Sequence, residues 1–413
     1  MLNSKVLHFA GIFFANFSQK IFQNFSLRRG IISKKILGSD SMKKILLGDI
    51  CKITSSKRIF EREYVNFGIP FIRGQEISDK SISSNKKLFE CYISEKRYDE
   101  LKKNYGVPQK NDILITAVGT IGNLYLVKNN QKFYFKDGNI IWIKDIEKNV
   151  FPKFLYYFMK SPYFNKQIQN SLIGAVQKAL TIDMLSKIEI DLPPLEVQKQ
   201  IGNFLYSLDQ KISLNKKINA TLEDMAKTIF LHKFFRKPTN GKISDILIEN
   251  EKSAISVGEA KNSGGDFPFF TSGENILRWN EKLVDGRNIF LNDGGNVGIK
   301  FYVGAAAYST HTYCITAKDN FADFLYLTLK IFESEIEKRF FTGTGLKNLR
   351  KDLLKDFAIY IPTQAELKNF NSAVQPCFDT ISKNFRENNL LENLRDFLLP
   401  MLMNGQVTFA EED

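Results

Sequence analysis

Ile188-Glu189-Ile190-Asp191-Leu192-Pro193-Pro194 is the stretch on which the reading of this chain turns. A strand-like alternation stops at two prolines, and a different periodicity starts behind them. Val197, Ile201, Phe204, Leu208, Lys211, Asn215, Ile218, Leu222, Met225 and Ile229 advance in alternating steps of four and three. That is a heptad seam with polar interruptions, the pattern of a helix that pairs with another. Prolines just ahead of it suit a helix start, where no backbone bond is lost.

The stretch has an echo. Phe357-Ala358-Ile359-Tyr360-Ile361-Pro362 leads into a second seam of Leu367, Phe370, Val374, Cys377, Ile381, Asn384, Asn388, Leu391, Arg395, Leu398 and Leu402. Thr363-Gln364-Ala365-Glu366 has the form of a capping box opening that helix. Arg236–Gly241 ends the first helix and serves as a linker. About forty residues per helix make rods of roughly 60 Å. Asn215 and Asn384 lie 169 residues apart, at matching seam positions near the rod midpoints. In an antiparallel pair these two should meet at a pseudo-twofold crossing and fix the register.

Working outward, the repeat extends into the flanking sequence. Leu46–Ile50 is echoed by Lys242–Ile246, and Phe67-Gly68-Ile69-Pro70-Phe71 by Gly265–Phe269. Gly119-Thr120-Ile121-Gly122 matches Gly295-Asn296-Val297-Gly298, each ahead of a strand-like run. Ile113–Thr116, Ile140–Ile143, Asn288–Leu291 and Tyr313–Ile315 read as strands, and Pro152–Gln169 and Asp323–Phe340 as helices. The expected fold is α+β: two domains of mixed strands and short helices, with two long antiparallel helices in a pseudo-twofold repeat. The divisions are 1–41 (an N-terminal extension), 42–190, 191–241 (helix and linker), 242–361, and 362–413 (helix and tail).

Residues 1–41 carry an apolar patch, Phe9 to Phe17, followed by Arg28-Arg29. A secretion signal has its positive charge first, so this order argues against one. A short amphipathic helix, or sequence upstream of a start at Met42, accounts for it better.

At 413 residues the chain has room for two or three domains. With 43% hydrophobic and 25% charged residues, composition excludes a disordered chain. No apolar run approaches the roughly 18 residues of a membrane span. The formal charge of +13 points to a polyanionic partner. Cys51, Cys91, Cys314 and Cys377 are too scattered for a zinc module or a disulfide framework, which fits a reducing cytoplasm. Three histidines, His8, His232 and His311, make a His-rich metal site implausible.

Two stretches resemble a known family. Asp191-Leu192-Pro193-Pro194-Leu195-Glu196-Val197-Gln198-Lys199-Gln200-Ile201, continuing through Leu208–Ile212, is one; Leu394–Gly405, with its Leu-Leu-Pro…Gly ending, is the other. Both are similar to the conserved helical regions of the DNA-specificity (S) subunit of type I restriction–modification systems. The likeness covers Met42 to Phe409 in the order target-recognition domain, helix, target-recognition domain, helix; the second helix start lacks the double proline. The resemblance implies a non-catalytic cytoplasmic subunit that reads a split target in double-stranded DNA. It also implies two methyltransferase (M) subunits, restriction/translocase (R) subunits, and S-adenosylmethionine, ATP and Mg2+ in those partners but no cofactor here. Readers on one face of a duplex sit about 34 Å apart, a separation that roughly 60 Å rods can hold.

Residues 42–190 hold 25 basic and 15 acidic side chains, a net +10, while 242–361 hold 15 and 16, a net −1. Phosphate attraction should therefore come mostly from the first domain. Base reading needs donors and acceptors on protruding loops. The candidates are Arg73, Gln75, Thr120, Asn123, Gln177 and Lys178 in the first copy. In the second they are Ser272, Arg278, Asn296, Lys300, His311, Lys347 and Asn348. Two other readings compete: an adaptor binding only protein, and a self-contained DNA methyltransferase. Against the latter, the one Pro-Pro lies between Leu192 and Leu195 and opens a helix, and Gly294–Gly298 lies between strands rather than before a helix.

Overall fold

The computed structural model describes residues 32–33, 43–78, 91–128, 132–173, 179–343 and 347–409. It divides into two units, one running to Lys211 and resuming at Leu390, the other Ile212–Asn389.

Unit 1 is built on β1 (Lys52–Ser55), β2 (Ile113–Thr116), β3 (Leu124–Leu126) and β4 (Ile140–Lys144). They form an antiparallel sheet in the order β1-β4-β2-β3. Unit 2 has β5 (Leu247–Glu249), β6 (Arg287–Asn292), β7 (Ile299–Val303) and β8 (Thr312–Ala317), ordered β5-β8-β6-β7. First, fourth, second, third: the topology is the same twice. The echoed strands Ile69–Ile72 and Phe267–Phe270 each run through a second sheet, four-stranded in unit 1 and a smaller, three-stranded one in unit 2, antiparallel to one neighbour and parallel to another. The long apolar residues of β2 and β4 are buried on both faces, so these strands read as continuous apolar runs rather than alternations.

Two expected helices are broken. Pro152–Gln169 divides into Pro152–Lys160 and Pro162–Ser171, because Pro162 cannot continue a helix and Ser161 caps the new one through Phe164 N at 3.2 Å. Asp323–Phe340 divides at Phe332 into Ala322–Ile331 and Glu333–Phe340.

The long helices are α1 (Leu195–Phe234) and α2 (Gln364–Met403). The predicted capping box opens α2: Thr363 N donates to Glu366 Oε2 at 2.9 Å and Glu366 N to Thr363 Oγ1. Lys237 and the Thr363 amide hold the Glu366 carboxyl at a pKa of about 2. Past Met403, Gly405 takes φ +70°, the left-handed conformation that ends helices.

Pairing of α1 with α2 is antiparallel within each unit. In unit 1 the Arg395 guanidinium meets Asp209 at 2.6 Å; in unit 2 the Phe230 and Phe370 rings lie 6.2 Å apart. The α2 seam holds as expected, with none of its positions exposed. The α1 seam needs a partial correction: Ile201, Leu208 and Asn215 are buried as expected, but Lys211, Ile218 and Met225 are exposed, and Gln198, Leu205, Ile212 and Ala226 are buried one residue after the expected Val197, Phe204, Lys211 and Met225. Val197 and Phe204 are half-buried against the unit 1 core, which also takes in Ile201 and Leu205 of α1 and Leu398 and Leu402 of α2.

The expected Asn215–Asn384 contact is also corrected. Asn215 Nδ2 donates to Asn388 Oδ1 at 2.9 Å and to Glu387 Oε2 at 2.7 Å, while Asn384 Nδ2 donates to Asn219 Oδ1 at 2.8 Å. Each asparagine meets a partner one helical turn beyond the expected one, giving two rungs in place of a single crossing pair.

Each globular part is pinned to a long helix. In unit 1, Tyr157 and Lys160 reach Asp209 at 2.7 and 3.3 Å, and Gln198 accepts from Phe151 N at 2.8 Å. Burial pushes the Asp209 carboxyl upward, but Lys160, Tyr157 and Arg395 hold it below the usual range. In unit 2, Arg287 at the start of β6 bonds both Asp379 of α2 and the fully buried Asp323, the latter at 2.6 Å. Desolvation raises Asp323 to a pKa of about 6 against the pull of Arg287. No helix among the described residues is long and apolar enough to cross a membrane.

Candidate nucleic-acid interface

β6 leaves α2 at Arg287 and ends at Asn292, roughly 17 Å on at about 3.4 Å per residue. The turn to β7 carries Asn296. Asn292 Nδ2 donates to Asn296 O at 2.9 Å, and Asn292 N to Gly298 O at 3.0 Å. A Cβ on Gly298 would stand 2.5 Å from Asn292 Nδ2, so a larger residue there would push the Asn292 amide out of its strap.

Other segments dock onto this turn. Asp293 N donates to His311 O at 3.0 Å, Gly295 N to Lys347 O at 2.8 Å, and Gly294 bridges Asn348. Ser272 Oγ donates to His311 O, and Lys300 Nζ donates to Thr271 O at 2.6 Å and Gly273 O at 2.5 Å. Ser272, Asn296, Lys300, His311, Lys347 and Asn348 thus belong to one connected edge. Asn296, His311, Lys347 and Asn348 are exposed there. Arg278 is not joined to it; its guanidinium donates to Asp266 O at 3.0 Å from the strand Leu277–Trp279.

The first domain builds the same turn. β2 ends at Thr116 and β3 begins at Leu124, with Thr120 exposed between them. Thr116 Oγ1 donates to Thr120 O and accepts from Asn123 N at 3.0 Å; Gly122 N donates to Thr116 O at 3.0 Å. In both copies the last strand side chain, Thr116 or Asn292, grips the carbonyl four residues on. The short helix Gly74–Ser78 packs beside this turn through Ile77, which shares a core with Leu114 and Tyr125. That brings Arg73 and the exposed Gln75 to the same region. Arg73 is held by Glu76 at 3.1 Å. Gln177 and Lys178 lie outside the described residues.

Thr116 and Asn292 were missed as site residues. Their signal is present in the sequence: a polar residue closing an apolar run, three places before the repeated glycine, in Ile113-Leu114-Ile115-Thr116 and Ile289-Phe290-Leu291-Asn292. Among the described residues no His, Cys, Asp and Glu side chains gather as a metal site.

A model of the type I restriction modification DNA specificity domain matches residues 39–224 and again 238–393. The chain belongs to that family. Its two matches fall on the two copies of the repeat. The putative type I restriction enzyme MjaX specificity subunit of Methanocaldococcus jannaschii is 24% identical over 405 residues, 87% of this chain and 92% of that protein. The MjaIX specificity subunit of the same organism is 26% identical, covering 85% and 89%. A putative specificity subunit from Haemophilus influenzae, S.HindORF215P, is 36% identical over 174 residues, 42% of this chain and 42% of its own length. The S subunit structure from M. genitalium superposes with a TM-score of 0.62 at 15% identity, over 92% of this chain and 99% of that one, a likeness of fold.

Proposed function

We propose that this chain is the sequence-reading subunit of a type I restriction–modification complex, recognising a bipartite target in double-stranded DNA with one half read by each domain. The observation that carries this reading is the duplicated turn: two polar, exposed loops strapped alike by Thr116 and Asn292, each at the same end of a sheet of the same order. A major groove distinguishes all four base pairs by donors and acceptors; these loops offer Thr120, Asn123 and Asn296 for that purpose, with His311 docked beside the second.

In this reading the chain performs no bond chemistry. Two methyltransferase subunits holding S-adenosylmethionine, and translocase/nuclease subunits using ATP and Mg2+, assemble with it in the cytoplasm. Its contribution is to select which adenine is presented to a partner's active site, where the base is taken out of the stack. Mapping methylated adenines in a genome with and without this gene tests the proposal. Loss of a split motif on deletion supports it; an unchanged methylation map opposes it.

A further inference from the structure

Lys300 stands in β7, and its ammonium is engaged with protein atoms. It donates to Thr271 O at 2.6 Å and to Gly273 O at 2.5 Å. Both carbonyls belong to the loop leaving Phe267–Phe270, a strand of the smaller sheet. The same loop is closed by Thr271 Oγ1 to Asn275 O at 3.1 Å and tied by Ser272 Oγ to His311 O. His311 O also accepts from Asp293 N in the turn that carries Asn296. Burial lowers the Lys300 pKa, as expected of an ammonium turned inward.

A lysine reaching for phosphate works as a flexible, hydrated point charge. One bonded to two carbonyls of a neighbouring sheet's loop works as a strut. We propose that Lys300 is a positioning residue for base reading and not a phosphate contact: it latches the loop Thr271–Asn275 to β7, directly after the turn Asp293–Gly298, so that loop and turn present one fixed surface to a half-site. The inference deepens the proposed DNA-reading function and rests on it. Phosphate contacts set affinity and its salt dependence, whereas fixed base contacts set discrimination, so the two roles leave different traces.

The test uses the full chain in complex with its methyltransferase partners and the target motif defined by methylated-base mapping. Dissociation constants are measured against salt for the cognate duplex, for single-base changes in the half-site read by residues 242–361, and for mixed-sequence duplex. Lys300→Met removes the latch. It should lower discrimination in that half-site by about tenfold, the worth of one good base contact, with mixed-duplex affinity and salt slope unchanged. Lys300→Gln removes the charge and keeps a donor; it should retain both discrimination and slope, and it decides the matter should the Met variant fail to fold. The proposal is overturned if Lys300→Gln weakens binding to all sequences alike and makes the slope shallower by about one, or if a folded Lys300→Met discriminates as well as the original. A wild-type complex that methylates no motif overturns the functional reading itself, an outcome distinct from either.

Discussion

Asn215 donates to Asn388 at 2.9 Å, and the repeat turns this bond into another: adding 169 to 215 gives Asn384, and taking 169 from 388 gives Asn219, the pair joined at 2.8 Å. The two rungs are exchanged by the duplication. Each pairs residues of α1 and α2 inside unit 2, where a one-turn slip would replace the two rungs by a single asparagine pair, Asn215 with Asn384 or Asn219 with Asn388. Asn215 is 1% exposed and Asn388 6%, so their amides have little access to water. Asn388→Ala should cost about 1–2 kcal/mol, the usual penalty for leaving a buried polar group short of a partner. Urea denaturation of the two single variants and the double variant with Asn215→Ala should give a coupling near 1 kcal/mol. Additive losses would show that the rung does not exist.

Asp209 holds Tyr157, Lys160 and Arg395 at once. Asp209→Ala should destabilise unit 1 by roughly 2–3 kcal/mol, less than a fully buried pair because the partners keep some solvent contact. The pH trend has a definite sign. A carboxyl held below its unfolded pKa contributes stability that is complete above about pH 4 and fades as pH falls further. Thermal unfolding between pH 2 and 7 should therefore show a smaller acid loss in Asp209→Asn than in the original chain.

Asp323 predicts the opposite slope. Its folded pKa of about 6 lies above the ordinary value of 3.8, so the native state holds a proton that the unfolded state releases. Stability from this site is greatest below about pH 4 and declines as pH rises through 6, by roughly 3 kcal/mol in all. Asp323→Asn should flatten the curve between pH 4 and 7, as read by denaturant midpoints. An unchanged curve would mean that Arg287 keeps Asp323 ionised throughout.

How much of this was legible beforehand follows from which physical signal each feature uses. The α2 seam could be read directly, because Leu367, Phe370 and Val374 at one end and Leu398 and Leu402 at the other all fall in buried cores, and its ends carry Thr363 and Gly405. In the α1 seam Ile201, Leu208 and Asn215 were placed correctly, whereas Ile218 and Met225 are apolar yet exposed and Gln198 is polar yet buried; residue type along a periodicity does not by itself say which side is covered. The asparagines were found by position but paired wrongly, since a repeat offset gives equivalence and not contact. In the second domain, the strap and docking bonds join six of the seven named residues, yet those bonds run mostly through backbone carbonyls such as His311 O and Lys347 O, which no side-chain pattern records. Arg278 looked like a guanine reader by residue type, and its bond to Asp266 O depends on tertiary placement.

Charge asymmetry leads to a binding prediction. Residues 42–190 carry a net +10 and residues 242–361 a net −1. With the assembled complex, a duplex retaining only the half-site of the first domain should show a steeper loss of affinity with salt than one retaining only the second. Equal slopes would show that the basic residues of the first domain face away from DNA.

The most direct measurement of the central claim, two readers in one chain, is a domain exchange followed by methylome sequencing. Residues 242–361 are replaced by the corresponding segment of a relative with a known different motif, and methylated adenines are mapped in a host supplying the partner subunits. The account predicts a split motif in which one half changes and the other half stays as it was. A motif changed in both halves, or unchanged in both, would contradict it.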